Sequence, residues 1–541
     1  MERSIYIAGT AGEGIQTIGD AMARALLAHG YFVFATKEYE SRIRGGNNSY
    51  RIRISDAPLN APRHTADVLL ALNERAAAHY APSLVDHGTK LDASSADFLG
   101  IARTVSGDSI FANAVAAGAL CAAVGLPLDR LADVLRETFA RKGDEIVAKN
   151  LAAAQAGFDA VPSSAPLAPL SRSANATSYV GAHEAIPVAA AAAGCRFMAA
   201  YPMSPSTGII TALARDPELG VFVEQAEDEI SAINMSLGAS AAGARAMTAT
   251  SGGGFALMAE AVSLAGMIET PIVILIAQRP GPATGLPTRT AQEDLWFAIH
   301  AGHGEFPRAV LAPADPQDAV RQTIRAFDLA ERYQTPVLLL TDQYLADAHF
   351  TLPRIEIDDP APEQSSSDRT SPYLRYRLTE DGISPRLALG ETEEIVCLDS
   401  DEHTEEGHIT EDLTTVRPAM VEKRLTKARR LAEEMLPPEA YRTENAETIL
   451  IGWGSTRGAL MEAVDRLRAQ GRPTGLLHFS DVWPLPPFEH DPGRRYVVVE
   501  GNATGQFAGL LRREVGLAAD TVIGRYDGLP IDATCILEEL T

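Results

Sequence analysis

Cysteine is scarce in this chain: four residues in 541, at Cys121, Cys195, Cys397 and Cys535, with no C-x-x-C pair. Thiols so scattered do not make a chain-encoded zinc or iron–sulfur site, and they fit a reducing compartment rather than a disulfide-stapled secreted domain. Basic residues are also in deficit. Against 71 Asp and Glu stand 47 Lys and Arg, a formal charge of −24, which argues against a nucleic-acid or anionic-membrane surface. No apolar run approaches the ~20 residues of a membrane span. The start MERSIYIAGTAGEG enters a strand directly and lacks a signal-peptide pattern. The expectation is a cytoplasmic protein that binds neither nucleic acid nor membrane.

What is present is enough apolar sequence, 46% of residues, for a large core, and enough length for roughly three or four domains at about 150 residues each. Strands and helices alternate, so the expected class is α/β, with three open α/β domains. The first covers 1–165: strands are expected at SIYIAG, YFVFATKEY, NSYRIRIS, ADVLLAL and FLGIART, and helices after GTAGEG and over SIFANAVAAGALCAAVG, PLDRLADVLRETFA and DEIVAKNLAAAQAGF. A Pro/Ser/Ala-rich stretch at 161–177 reads as a linker. The second domain covers 178–350. A connecting segment, 351–445, loses the alternation and ends in the charged helix MVEKRLTKARRLAEEM. The third domain covers 446–541.

The densest concentration of site-like features lies at 199–289. Three apolar strands there end in turns rich in Gly, Pro, Ser and Thr, the places where open α/β sheets hold ligands. One turn leads into EQAEDEI, where Glu224, Glu227 and Glu229 crowd a helix start. A carboxylate at a helix start commonly compensates the dipole, but with apolar neighbours on both sides at least one is expected to point inward. An inward Glu is paired or has a raised pKa, which suits proton transfer. Arg279, ending PIVILIAQ, suits a substrate carboxylate, and Ser204, Ser206, Thr284 and Thr288 supply neutral donors in adjacent turns.

Two features stand out in the first domain. GTAGEG is G-x-x-G-x-G, not the dinucleotide fingerprint, yet a Gly-rich turn entering a helix can still bind phosphate through backbone N–H groups; the alternative is a plain tight turn. ESRIRGGNNSYRIRIS gathers Arg42, Arg44, Arg51 and Arg53 around Gly45 and Gly46 in an otherwise acidic chain. Arg51 and Arg53, two apart, share one strand face. They form either a solvated surface or an anion site.

The motifs YPMSPST (201–207), EDEISAINMSLGASAAGARAMTATSGGG (227–254), QRPGPATGLPT (278–288) and DEHTEEGHITED (401–412), with GTAGEGIQ and ESRIRGGNN, resemble the α subunits of 2-oxoacid:ferredoxin oxidoreductases in the form with a γ-type domain fused ahead of α. The resemblance covers nearly the whole chain, and the DEHxxxGHxxED run looks most like the 2-oxoglutarate type. It implies a γ-like domain, a thiamine diphosphate pyrimidine-binding domain and a transketolase C-terminal-like domain. It also implies the roles. Glu227 would be the proton partner of the aminopyrimidine ring, with Tyr201 and Pro202 also contacting the cofactor. Arg279 would hold the substrate 1-carboxylate, assisted by Ser204 and Thr288. Most relatives carry Thr in this turn; Ser204 keeps the hydroxyl and loses a methyl.

The family binds Mg²⁺ and the diphosphate through a GDG-type segment on another domain. Only GDS (107–109) and GDE (143–145) occur here, neither in a suitable context, and no four thiolates are available for a cluster. The resemblance therefore implies a β subunit carrying the diphosphate and Mg²⁺ site and a [4Fe–4S] cluster, in an (αβ)₂ heterotetramer with thiamine diphosphate shared between the subunits. Ferredoxin would accept electrons and coenzyme A the acyl group. Gly12, Gly14, Arg42, Arg44 and Asn47 are the candidates for coenzyme A. Alternatives are a pyruvate, branched-chain or indolepyruvate enzyme, or a non-catalytic assembly subunit.

Overall fold

The structure, a computed structural model, describes residues 1–41, 45–170, 177–357, 372–390, 393 and 395–540. Arg42 and Arg44 lie outside the described residues. The chain divides into two compact units, one built mainly from 1–180 with 347–355, the other mainly from 181–346 with 356–531.

The first unit is organised on a seven-stranded mixed sheet in the order Leu84–Leu91, Ala66–Ala71, Glu2–Ala11, Gly45–Ser55, Phe32–Glu38, His349–Pro353, Thr177–Gly181. Glu2–Ala11 pairs antiparallel with Gly45–Ser55 (Ile5 opposite Ile52) and parallel with Ala66–Ala71 (Ile5 opposite Val68). Thr351 Oγ1 donates to the Val33 carbonyl at 2.7 Å and accepts the Val33 N–H at 2.9 Å. A strand some three hundred residues downstream is thereby joined to the N-terminal sheet. The helix Ala112–Val124 is apolar on almost every side and buried throughout most of its length, as expected of a helix inside a core.

One local expectation is corrected, and one strand is added. FLGIART is the helix Phe98–Ser106, not a strand: Asp97 caps it by accepting the Gly100 N–H at 2.9 Å, and Phe98, Ala102 and Ser106 form the buried stripe at helical spacing. LVDHGTKL, unremarked in the sequence, is the edge strand Leu84–Leu91; its exposed polar face hides the apolar alternation. The arginines of RIRIS serve neither of their two readings. Arg53 is 4% exposed and donates to Glu2 and to the Ala61 carbonyl, while Arg51 pairs with Glu38 and covers the Tyr6 ring.

The second unit holds two sheets. The larger has the order Asp481–Trp483, Ala309–Leu311, Pro336–Asp342, Ile272–Gln278, Arg245–Thr250, Cys195–Ala200, Phe222–Gln225. Its strands are parallel except for Asp481–Trp483 at the edge. Every residue of Ile272–Gln278 and Pro336–Asp342 is buried, the pattern of central strands covered on both faces. The smaller sheet runs Glu439–Tyr441, Thr474–Phe479, Thr448–Trp453, Arg495–Glu500, Thr521–Gly524. Ile274, Phe255 and Leu340 share one apolar core with Trp453, Phe479 and Phe507, so the two sheets pack as a single body.

Candidate active site

The order of the larger sheet creates the site. From Cys195–Ala200 the chain moves outward on one side to Phe222–Gln225, then returns to the other side with Arg245–Thr250. That reversal is a topological switch point, where the turns leaving neighbouring strands diverge and open a crevice at their carboxyl ends. The turn Tyr201–Ser206, the acidic turn 226–228 and the Gly-rich start of Gly252–Met267 all leave this edge, and Arg279 ends the strand beyond. Ala226 donates its N–H to the Ala200 carbonyl at 3.1 Å, fixing the acidic turn beside the YPMSPS turn.

Arg279 spans the crevice. Its Nη1 donates to the Ser204 carbonyl at 2.7 Å, crossing the intervening strand to join two turns 75 residues apart in sequence. Burial lowers its pKa, with Asp294 acting in the opposite direction. Tyr201 (40% exposed) and Ser204 are open at the edge, with Pro202 half-buried. Thr288 is half-buried in the loop that follows Arg279, a loop closed by the Leu286 N–H on the Pro280 carbonyl at 3.0 Å.

The three glutamates of EQAEDEI take different positions. Glu227 is exposed, Glu224 is half-buried, and Glu229 is the one that points inward, 3% exposed at the start of Glu229–Ala241. Asp228 caps that helix by accepting the Ser231 N–H at 2.7 Å. A Cβ on Gly254 would lie 2.5 Å from Glu229 Oε1 and closer still to Thr250 Oγ1, and a Cβ on Gly252 would fall on the Asp294 carboxylate. The glycines of SGGG thus make room for two acids.

Among the described residues, Glu229 Oε1, Ser251 Oγ, Arg279 Nε and Asp294 Oδ2 are enclosed without a hydrogen-bond partner. Buried polar atoms are nearly always satisfied, so orphaned atoms gathered at one sheet edge fit a polar ligand there. Ser251 and Asp294 were not legible as site residues. Ser251 is an unremarkable N-cap in sequence, and Asp294 lies outside every motif; its significance comes only from its packing. Burial first, then Glu293, pushes Asp294 up to about 6, with Arg279 pulling it down.

The DEHTEEGHITED run forms a small clamp. Thr404 and His408 pair through a 2.9 Å backbone bond, and Glu402 accepts from Arg417 and Arg424 of the helix Val416–Glu433. His403 is fully buried with its ring 3.7 Å from that of Tyr376. Below it Lys423 and Lys427, both 1% exposed at their side chains, reach Glu269 at 2.5 and 2.7 Å, with Arg375 buried alongside. Burial alone would raise the Glu269 carboxyl, but Lys423, Lys427 and Arg375 outweigh it and hold it below the usual carboxylate range. The charged helix therefore turns a basic stripe inward.

The coenzyme A candidates lie in the first unit. Gly12 and Gly14, both at positive φ, line a cleft of about 430 Å³ with Gln16, Thr17, Lys37 and Asn48. Gly14 is the N-cap of Ile15–Ala28. Asn47 is engaged: it donates to Glu40 at 3.1 and 3.2 Å and accepts from Arg75 at 3.2 Å.

The sequence and fold match a class of thiamine-dependent oxidoreductases. The family described as "Pyruvate flavodoxin/ferredoxin oxidoreductase, thiamine diP-bdg" matches residues 188–423, and "Pyruvate ferredoxin/flavodoxin oxidoreductase" matches residues 4–160. A Sulfolobus protein named 2-oxoacid:ferredoxin oxidoreductase subunit alpha is 32% identical, over 98% of this chain and 95% of its own. The 2-oxoglutarate synthase subunit KorA of Methanothermobacter thermautotrophicus is 33% identical over 65% of this chain and 94% of its own. The chain belongs to the 2-oxoacid:ferredoxin oxidoreductases, as an alpha subunit. The structure of 2-oxoglutarate:ferredoxin oxidoreductase from Magnetococcus marinus, with 2-oxoglutarate, coenzyme A and succinyl-CoA bound, superposes with a TM-score of 0.91 at 32% identity. That match covers 100% of this chain and 99% of the other.

Proposed function

We propose that the chain works with a β subunit to convert a 2-oxo acid, 2-oxoglutarate in the first instance, and coenzyme A to an acyl-CoA and CO₂, passing two electrons to ferredoxin. The observation that carries the reading is Arg279 held on the Ser204 turn at the switch point, with Glu227 open on the same edge. A guanidinium there suits an incoming carboxylate. The choice of 2-oxoglutarate is supported by the names of the Methanothermobacter and Magnetococcus proteins.

The orphaned polar atoms and open Glu227 fit the pyrimidine end of thiamine diphosphate. When bound, that cofactor supplies the electron sink for breaking the bond to the departing CO₂. Glu227 is its proton partner, and Tyr201 and Pro202 contact it. Arg279 holds the substrate 1-carboxylate, and Ser204 and Thr288 orient the rest. On this reading the β subunit carries the diphosphate, Mg²⁺ and the [4Fe–4S] cluster in an (αβ)₂ assembly. Ile230, Met235 and Leu257, between 42% and 51% exposed on the helices flanking the site, support a partner covering this face. Residues 1–165, 178–350 and 446–541 are the three domains, and the cleft at Gly12 and Gly14 is the coenzyme A surface.

The test is co-purification from the native host with iron analysis and a screen of 2-oxo acids. The isolated chain should be colourless, iron-free and inactive, and the complex should contain iron and favour 2-oxoglutarate. Iron or turnover in the chain alone would reject the two-subunit reading, and a preference for pyruvate, a branched-chain 2-oxo acid or indolepyruvate would reject the substrate.

A further inference from the structure

Asp294 is fastened through its own N–H to the residue beside Arg279, and among the described residues its carboxylate makes no ion pair with that guanidinium. Its N–H donates to Oε1 of Gln278, the buried neighbour of Arg279, at 3.0 Å, and the Gly281 N–H donates to Glu293 at 2.8 Å. Segment 293–294 is therefore laced to the strand end 278–281. The carboxylate itself lies against the start of Gly252–Met267, in the room left by Gly252. Among the described residues, its Oδ2 and the Arg279 Nε are both enclosed without a partner. The charged groups acting on Asp294 are Arg279 and Glu293. With both acids ionised, their negative charge opposes a further carboxylate docking on Arg279.

We propose that Asp294 is a positioning residue that takes up one proton from solution when the substrate carboxylate docks on Arg279, and so sets how tightly that carboxylate is held. This rests on Arg279 being the carboxylate-binding group. The proton goes to Asp294 Oδ2, and no bond of the substrate changes. Because Asp294 sits near 6 before the ligand arrives, an added negative charge moves it further toward the protonated form near neutrality. Proton and substrate then favour each other's binding by the same factor. Above the free pKa, the apparent KM for the 2-oxo acid should rise by up to about tenfold per pH unit.

The experiment uses the native α–β complex. Steady-state kinetics with 2-oxoglutarate as substrate are recorded for wild type, Asp294→Asn and Arg279→Ala from about pH 5.5 to 8.5, the range bracketing the shifted carboxyl. Wild type should show the rising KM. Asp294→Asn, which keeps the shape and cannot ionise, should flatten the KM profile while leaving the pH profile of turnover in place. An unchanged slope in Asp294→Asn, with Arg279→Ala still raising KM, would overturn the proposal alone. An unaltered KM in Arg279→Ala would overturn the reading of Arg279 beneath it. A second measurement needs no variant: calorimetry of wild-type complex with N-oxalylglycine, in two buffers of different ionisation enthalpy near pH 7, should show net proton uptake approaching one per site. No uptake would reject the mechanism.

Discussion

Arg279 donates to the carbonyl of Ser204 at 2.7 Å, and this bond joins two turns of the candidate site. It fixes the guanidinium at one Nη while leaving Nε enclosed and, among the described residues, unpartnered. Arg279→Ala should therefore act on binding more than on folding. Loss of a charge-assisted contact costs on the order of 1.5–3 kcal/mol, or roughly ten- to a hundredfold in kcat/KM, appearing mainly in KM for the 2-oxo acid. Steady-state kinetics of the reconstituted complex checks this, and unchanged KM and kcat would remove Arg279 from the site.

Glu227 is exposed at the sheet edge whereas Glu229 is buried against Gly254, so the two acids separate by experiment. Glu227→Gln should lower kcat by about 10²–10⁴, the usual range for a lost proton-transfer group, with thermal stability near wild type. Turnover that survives the change would favour a non-catalytic subunit.

Glu269 is the carboxylate shared by two buried lysines. Glu269→Gln leaves both uncompensated and should cost about 3–5 kcal/mol of stability, read by urea denaturation. The pH dependence follows from the depressed carboxyl: its contribution is present above the unfolded carboxylate pKa of 4.5 and is lost as pH falls below it. The wild-type thermal midpoint should fall along that acid limb, and the Gln variant should lack this part of the fall.

Arg42 and Arg44 lie in the sequence between Glu40 and Asn48, which line the cleft at Gly12 and Gly14. Changing both to Ala should raise the KM for coenzyme A severalfold while the decarboxylation that precedes coenzyme A is unaltered. Lower stability with unchanged coenzyme A kinetics would instead make them a fastening of the N-terminal domain.

Much of this was written in the chain itself. The alternation of apolar runs determined an α/β architecture, and Gly, Pro and Ser after YPM and QRP marked the strand ends that form the candidate site, because turn chemistry and periodicity are local properties. The motif set gave the family. Other features depended on contacts between distant residues. The carboxylate that turns inward is Glu229, a choice made by the space at Gly254 and not by anything within QAEDEI. The helix Val416–Glu433 reads in sequence only as charged; it is Glu269, far away in the chain, that draws Lys423 and Lys427 into the interior. FLGIART reads as a strand over its seven residues, yet the cap from Asp97 makes it a helix. Asp294 gained its significance from tertiary structure alone: burial and the neighbouring Glu293 shift its carboxyl, and no linear pattern records either.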